Sequence, residues 1–345
     1  MKNEKKLILV TGGSGYIATF VIIALLNRGY SVQTTLRTMS RQEEVKAMLA
    51  KGGITDFSDL TFVQADLTKP EDWVNAAKNC HAIIHVASPT PATRGNSDDE
   101  MIQMAVNGVK FVMEAAKENQ IDRVVLTSAS GAVLSGHGKT HPDLFTEEDW
   151  TNLDAQIDAY QRSKTIAEQE FWKLCEKYYI NGSSVLPVAV MGPILGKDFS
   201  HSNVMIRQML EGQMPHLLNI SFDYVDVRDV ADLHLSALEN PAAIGERFLA
   251  TSQQNISYQE IAKLLKNNLG TKAEKVSTKV SPDWLVKILA KFNKDLKMPA
   301  TFLGQNTACS NEKAKKMLDY QPRSAEKAIL LTAQTMVDLG IIEGA

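Results

Sequence analysis

Cysteine is scarce in this sequence, with three residues in 345, Cys80, Cys175 and Cys309, far apart and at no metal-ligand spacing. An odd, sparse set excludes a disulfide framework and points to free thiols in a reducing compartment, so the chain reads as cytoplasmic. No apolar run approaches the roughly 20 residues that span a bilayer. The apolar stretch behind the charged residues 1–6 is too short for a signal sequence. Excess charge of one sign is also missing. The 37 basic and 40 acidic side chains leave a formal net charge of -3, which gives no reason to expect nucleic acid or a membrane as partner. The seven histidines, His81, His85, His137, His141, His201, His216 and His234, show no tight ligand spacing, and no metal is expected. His137 and His141 stand four apart, but Gly138 and Pro142 make that stretch a loop.

What remains, 44% apolar and 22% charged residues, is the composition of a soluble globular protein long enough for one large domain or two lobes. The first half alternates short β-rich runs with helical patterns, the mark of a parallel sheet covered by helices. Strands are expected over 7–11, 31–36, 60–64, 82–86, 123–127 and 184–190. Helices are expected over 16–28, 41–50, from Pro70, over 98–119 and over 154–179. After Gly192 the rhythm breaks, with Pro193, Gly196, Gly212 and Pro215 punctuating shorter elements before a helical region from residue 258 onward. The domain reading is a dinucleotide-binding domain over 1–192, which also receives segments from about 220–250, and a substrate lobe formed mainly by 193–345. Met205, Met209 and Met214 fit adaptable packing or the apolar wall of a pocket. The two long helices could pair across a two-fold, so the chain reads as monomer or homodimer.

Between the first strand and first helix runs Val10-Thr11-Gly12-Gly13-Ser14-Gly15-Tyr16-Ile17-Ala18. Gly12 permits a tight turn, and Gly15 lets backbone approach a pyrophosphate. The amides around Ser14, Tyr16 and Ile17 then face the negative charge, and Ala18 is an accepted third small residue. Its place between strand and helix, at the start of an alternating pattern, makes this a dinucleotide site on a Rossmann-type, doubly wound α/β fold. No acidic residue ends the second strand, where a site preferring NAD carries one. Instead Arg37 stands there, with Arg41 one turn later, and a guanidinium suits a 2′-phosphate, so NADP(H) is expected. Further candidates at carboxyl ends of strands are Asp66 and Leu67 after the third, and Ala87, Ser88 and Pro89 after the fourth. Asp66 serves equally as a cap for the next helix.

Tyr160-Gln161-Arg162-Ser163-Lys164 puts a phenol and an ammonium four residues apart on one helical face. An ammonium there should lower the phenol pKa, allowing Tyr160 to supply the proton when a nicotinamide delivers hydride to a carbonyl. A hydroxyl donor to the carbonyl oxygen is expected from Leu126-Thr127-Ser128-Ala129-Ser130-Gly131.

These motifs resemble the extended short-chain dehydrogenase/reductase family, and most closely its dihydroflavonol-reductase-like branch of aldehyde and ketone reductases. The match rests on Thr11-Gly12-x-x-Gly15, His85-Val86-Ala87-Ser88-Pro89, Tyr160-Gln161-Arg162-Ser163-Lys164, Leu186-Pro187-Val188-Ala189-Val190-Met191-Gly192-Pro193 and Tyr224-Val225-Asp226-Val227-Arg228-Asp229-Val230. It runs from about residue 6 to about 250 and thins beyond. It implies a Rossmann domain with a C-terminal substrate lobe, NADP(H), a small-molecule carbonyl substrate and a Ser/Thr–Tyr–Lys catalytic set. It implies that Pro187 and Val190 lie beside the nicotinamide, and that Asn107 is a structural or relay asparagine. The family's catalytic serine falls on Ala129, leaving Ser128 or Ser130 as the working donor, or neither. The alternatives are an epimerase or dehydratase of sugar nucleotides that retains NAD, and a non-catalytic NADPH-binding regulator.

Overall fold

The protein is described by a computed structural model covering residues 5–89, 97–138, 143–197, 199–293, 296, 299–305 and 307–342. His141 and the side chain of His201 lie outside what is described. The described residues form ten strands: β1 (Leu7–Val10), β2 (Ser31–Leu36), β3 (Leu60–Gln64), β4 (Ala82–His85), β5 (Arg123–Thr127), β6 (Asn181–Pro187), β7 (Ala189–Met191), β8 (Ser221–Asp226), β9 (Arg247–Ala250) and β10 (Asn255–Ser257). Seven of them make one sheet in the order β3-β2-β1-β4-β5-β6-β9, every pair parallel. Strand order reverses between β1 and β4, which opens a crevice at their carboxyl ends, the place where such sheets bind ligands.

Helices cover both faces, as the buried strands require. The first three are α1 (Tyr16–Asn27), α2 (Gln42–Lys51) and α3 (Pro70–Ala76), with Pro70 at a position that needs no amide. Then come α4 (Asp98–Glu118), capped by Ser97, and α5 (Ala159–Tyr178), capped by Asp158. Alternation decides which side each strand residue enters. Ile8 and Val10 pack on the side of α1, while Leu9 between them joins Trp73 of α3, Val109 of α4 and Phe171 of α5. The two long helices α4 and α5 thus pack within the chain, on one face of the sheet.

The later elements are α6 (His201–Leu210), α7 (Val227–Glu239), α8 (Tyr258–Leu269), α9 (Asp283–Leu289), α10 (Glu312–Leu318) and α11 (Ala325–Asp338). β8 pairs with β7 in parallel and with β10 in antiparallel fashion, forming a second, three-stranded sheet. Helix α11 locks the chain leaving β7. The Thr332 hydroxyl accepts from the Gly192 amide at 2.8 Å, and the Thr335 hydroxyl accepts from the Ile194 amide at 2.9 Å.

Three expectations need correction. The single strand over 184–190 is two strands in two sheets, parted at Val188. The first begins at Asn181 because its polar residues are satisfied in the interior: Ser183 accepts from Arg123 and donates to the Ala243 carbonyl, while Ser184 donates to Glu168. The long helix over 154–179 begins at Ala159, where the Asp158 carboxylate takes the Tyr160 amide at 2.8 Å. The helical region from 258 onward is broken, among the described residues, into four separate α-helices with irregular connections. Met209 is fully in the main core, and Met205 and Met214 pack against it, so that stretch is packing. All three cysteines are free and buried. No helix among the described residues is long and apolar enough to cross a membrane.

Candidate active site

The chain leaves β1 through a turn that only glycine fits. Gly12 has φ +74°, and a Cβ there would sit 3.1 Å from that of Ala87. Gly13 is tighter still, since its Cβ would lie 2.2 Å from Thr34 Oγ1 on β2. The turn holds itself together with three amides. Gly12 N donates to Thr35 Oγ1 (2.8 Å), Gly13 N to the Thr35 carbonyl (2.9 Å) and Gly15 N to the Gly12 carbonyl (2.8 Å). Among the described residues, the amides of Ser14, Tyr16 and Ile17 have no such partner. They open α1, which has no side-chain cap and no acid in its first turn. Open amides, a helix start and backbone bared by glycine form a cradle for an anionic group such as pyrophosphate.

Two arginines stand at the rim of this cradle. Arg41 Nη1 donates to Ser14 Oγ at 3.0 Å while the same guanidinium holds Glu44. Arg37 is exposed past the end of β2, and its guanidinium makes no hydrogen bond among the described residues. Asp66 turns its Oδ1 back onto the Thr68 amide (2.8 Å) and hydroxyl (2.7 Å), closing a turn ahead of α3, and it does not cap that helix, whose N-cap is Lys69 with no side-chain bond. Burial works against its charge, but the Thr68 hydrogen bonds outweigh it and Arg37 adds to them, so the carboxyl sits below its ordinary range. Leu67 points at α4, where any side chain on Gly108 would strike it at 2.7 Å.

Buried polar contacts tie the turn to the end of β4. Thr11 Oγ1 accepts from the Val86 and Ala87 amides, both at 2.9 Å. With both lone pairs taken, its proton goes to His85 Nδ1 (2.9 Å), so the imidazole carries its own proton on Nε2. Burial, helped by the nearby Lys164 charge, pushes His85 down to about 3, and it stays neutral. A narrow cavity lies between the ends of β4 and β5 and helix α5. Ala87, Ser88, Thr127, Ser128, Lys164 and Glu168 line it. Pro89, next along, is buried.

Lys164 Nζ lies 3.5 Å from the Thr127 carbonyl and 6.0 Å from the centre of the Tyr160 ring. Burial draws this ammonium down to about 8, with Glu168 one turn later resisting the fall. Tyr160 departs from the sequence expectation. Burial first, and the Asp158 carboxylate second, raise its phenol to about 12, and the ammonium does not reverse this. At neutral pH the phenol keeps its proton.

The NAD dependent epimerase/dehydratase family matches residues 8–250. This chain belongs to it. Cinnamoyl-CoA reductase 2 of Arabidopsis thaliana is 31% identical over 344 residues, covering 99% of this chain and 89% of that protein. Cinnamoyl-CoA reductase 1 of the same plant is 33% identical over 253 residues, 72% of each chain. Dihydroflavonol 4-reductase of Callistephus chinensis is 27% identical, covering 93% of this chain and 90% of that one. These relatives place the chain in the dihydroflavonol-reductase-like branch of the extended short-chain dehydrogenases/reductases. In fold it is similar to yeast methylglyoxal/isovaleraldehyde reductase Gre2 complexed with NADPH, with a TM-score of 0.78 and 24% identity over 97% of this chain and 100% of that one. It is also similar to UDP-glucose 4-epimerase of Thermotoga maritima, with a TM-score of 0.73 and 19% identity over 96% and 99%.

Ala129, where the sequence reading places the family's serine, is extended and half-buried and is followed at once by a 3-10 turn over Ser130–Ala132. The turn ends strand alternation, so Ser130 is released from the geometry that binds Ser128. Ser128 Oγ, fully enclosed, donates to Glu168 Oε2 at 2.6 Å. Pro187 closes β6 opposite Ala250, and Val190 sits in β7 opposite Val225, both buried. Asn107 accepts from Gln103 one turn earlier on α4 at 2.8 Å. Sequence reasoning passed over Gly13, His85 and Glu168. For Glu168 one signal was present: Tyr160, Lys164 and Glu168 follow at four-residue steps along one helical stripe.

Proposed function

We propose that this protein reduces an aldehyde or ketone to an alcohol with NADPH, using Tyr160 as the proton donor and Lys164 as its charged neighbour. The observation that carries the reading is the placement, at the carboxyl edge of the sheet, of one cavity lined by both His85, which is bonded to Thr11 of the glycine turn, and Lys164, which lies 6.0 Å from the centre of the Tyr160 ring. When bound, the reduced nicotinamide supplies the hydride. The amides of Ser14, Tyr16 and Ile17 would hold the pyrophosphate, Arg37 and Arg41 the 2′-phosphate, and Ala87, Ser88, Pro89, Pro187 and Val190 the nicotinamide end. Asp66 and Leu67 would flank the adenine.

The electrostatics favour the reductive direction. A phenol held near 12 is fully protonated at neutral pH, the state that a proton donor must have before the reaction. The Ser128 proton is committed to Glu168, which leaves Ser130 as the hydroxyl to polarise the carbonyl oxygen. We assign the substrate pocket to the lobe built around β7, β8 and β10 with α6, α8, α9 and α11. The named activities of the relatives, all reductases, support the same chemistry.

The test is the loss of NADPH absorbance with a panel of aromatic and aliphatic aldehydes and ketones. Turnover with NADPH, lost by about 100-fold or more in Tyr160→Phe, is expected. Tightly held NAD in the purified protein, with epimerisation and no carbonyl reduction, would refute the reading. So would NADPH binding without turnover on any carbonyl.

A further inference from the structure

We propose that Glu168 is a positioning residue for the Tyr160–Lys164 pair: its buried carboxylate, one helical turn from Lys164 on the wall of the same cavity, fixes the end of β5 against α5. The inference rests on the role just given to Tyr160 and Lys164.

Glu168 is fully buried, and both its oxygens are engaged from three strands. From β5, Ser128 donates to Oε2 at 2.6 Å. From β6, Ser184 donates to Oε1 at 2.7 Å. From β9, Arg247 donates to Oε1 at 2.8 Å through Nε and to Oε2 at 3.3 Å through Nη2. Arg247 is itself fixed, because its guanidinium lies 3.7 Å over the Trp150 ring and Nη1 donates to the carbonyls of Glu147 (2.6 Å) and Asp149 (2.9 Å). A buried ion pair stabilises a fold little compared with apolar packing of the same volume. Its value here is positional. Ser128 is the last residue before Ala129 and Ser130, so clamping its hydroxyl fixes where that turn stands relative to Tyr160.

The second effect is electrostatic. Lys164 faces few charged groups. On β4 there is neutral His85, on β5 the Thr127 carbonyl, and on α5 itself Tyr160 and Glu168, with Arg247 of β9 beyond Glu168. On α4, Lys110 is turned toward Glu170, and β6 contributes the neutral Ser184. Among the described residues, Glu168 is therefore the negative group acting on an ammonium that burial works to discharge. Without it, Lys164 should lose its proton well below pH 8.

The experiment is a titration of protein labelled with ¹³C at the lysine ε-carbons, free of cofactor, with the Lys164 resonance identified by Lys164→Met. The parent midpoint is expected at about 8. In Glu168→Gln it should fall by about one pH unit or more. In Ser184→Ala, which removes a hydrogen bond of similar length but no charge, it should stay within a few tenths. Should Glu168→Gln fail to fold, the pair replacement Glu168→Gln with Arg247→Met leaves no unpaired buried charge and should show a fall in the same direction, smaller because the Arg247 positive charge leaves with the carboxylate. The alkaline limb of kcat/KM should move with the midpoint. An unchanged midpoint in the Glu168 variants overturns the inference, while loss of turnover in Lys164→Met would leave the catalytic reading standing. Ordinary turnover in Lys164→Met would overturn both.

Discussion

Replacing Gly13 with alanine tests how closely the cofactor cradle depends on β2. The new Cβ would lie 2.2 Å from Thr34 Oγ1, 2.9 Å from its Cγ2 and 3.1 Å from its Cβ. Thr34 has nowhere to retreat. It is completely buried, and its hydroxyl donates to the Val10 carbonyl at 2.8 Å. Turning that side chain away breaks the bond, at about 1–3 kcal/mol for a buried group left unpaired, and the extra volume costs about 1–3 kcal/mol more. The two penalties overlap, so Gly13→Ala should destabilise the protein by about 2–4 kcal/mol.

The double variant isolates the cause. Thr34→Ala removes Oγ1 and Cγ2, the two nearest atoms, and leaves only the 3.1 Å contact. Gly13→Ala together with Thr34→Ala should therefore be less destabilised than the sum of the single changes, by about 1–2 kcal/mol. Urea unfolding with unchanged m values measures it. The cofactor reports the same geometry. The Gly13 amide bonds the Thr35 carbonyl at 2.9 Å, and this contact sets where Ser14, Tyr16 and Ile17 present their amides. NADPH should bind more weakly to Gly13→Ala and recover in the double variant. Strict additivity, or a Gly13→Ala protein as stable as the parent, would refute the packing argument.

Arg37→Ala should raise KM for NADPH far more than KM for NADH, and equal effects would remove Arg37 from the phosphate site. Ser130→Ala should lower kcat by about tenfold or more, a larger loss than Ser128→Ala causes; the reverse order would return the donor role to Ser128. Burial holds His85 at about 3 and His234 at about 4, below the ordinary imidazole value of 6.5. The fold therefore keeps both neutral while the unfolded chain binds protons. The stability they contribute is complete above about pH 6.5 and shrinks as pH falls toward those lowered values, by about 2 kcal/mol per histidine at about pH 5. Unfolding free energies that stay level between about pH 7.5 and 5 would contradict this.

The order of elements through β5 was legible because those strands carry short apolar runs and the helices between them carry clear starts, whereas β9, the seventh strand of the large sheet, was not anticipated. Pro70 and the acidic opening of α4 are examples. β6 escaped because its first half, Asn181 to Ser184, reads as polar loop. Its hydroxyls become core residues only once Arg123, Ala243 and Glu168 are folded around them. The split at Val188 was hidden for a related reason, since an unbroken apolar run cannot show that its two halves serve different sheets. The start of α5 turned on one carboxylate, Asp158, closing on the Tyr160 amide, a cap that the earlier acid Asp154 disguised by offering an equally good helix start in the sequence.

The site was legible to a different depth. Residues defined by spacing along the chain, Gly12, Gly15, Tyr160 and Lys164, could be found because a tight turn and a helical face leave a local imprint. Residues defined by what they meet across the fold could not: Gly13 against Thr34, Ser128 against Glu168, His85 against Thr11. The same distinction explains the one electrostatic inversion. Spacing alone places an ammonium beside the phenol and argues for a lowered pKa, because Coulomb attraction is the only term that sequence reveals. Burial is a property of the whole fold, and here it is the largest influence on both members of the pair, raising Tyr160 and lowering Lys164 toward one another. A pair drawn together in this way sits uncharged on the phenol and only just charged on the amine. Small changes in the surrounding carboxylates, Asp158 at one end and Glu168 at the other, should then matter more to this enzyme than the tyrosine–lysine spacing itself.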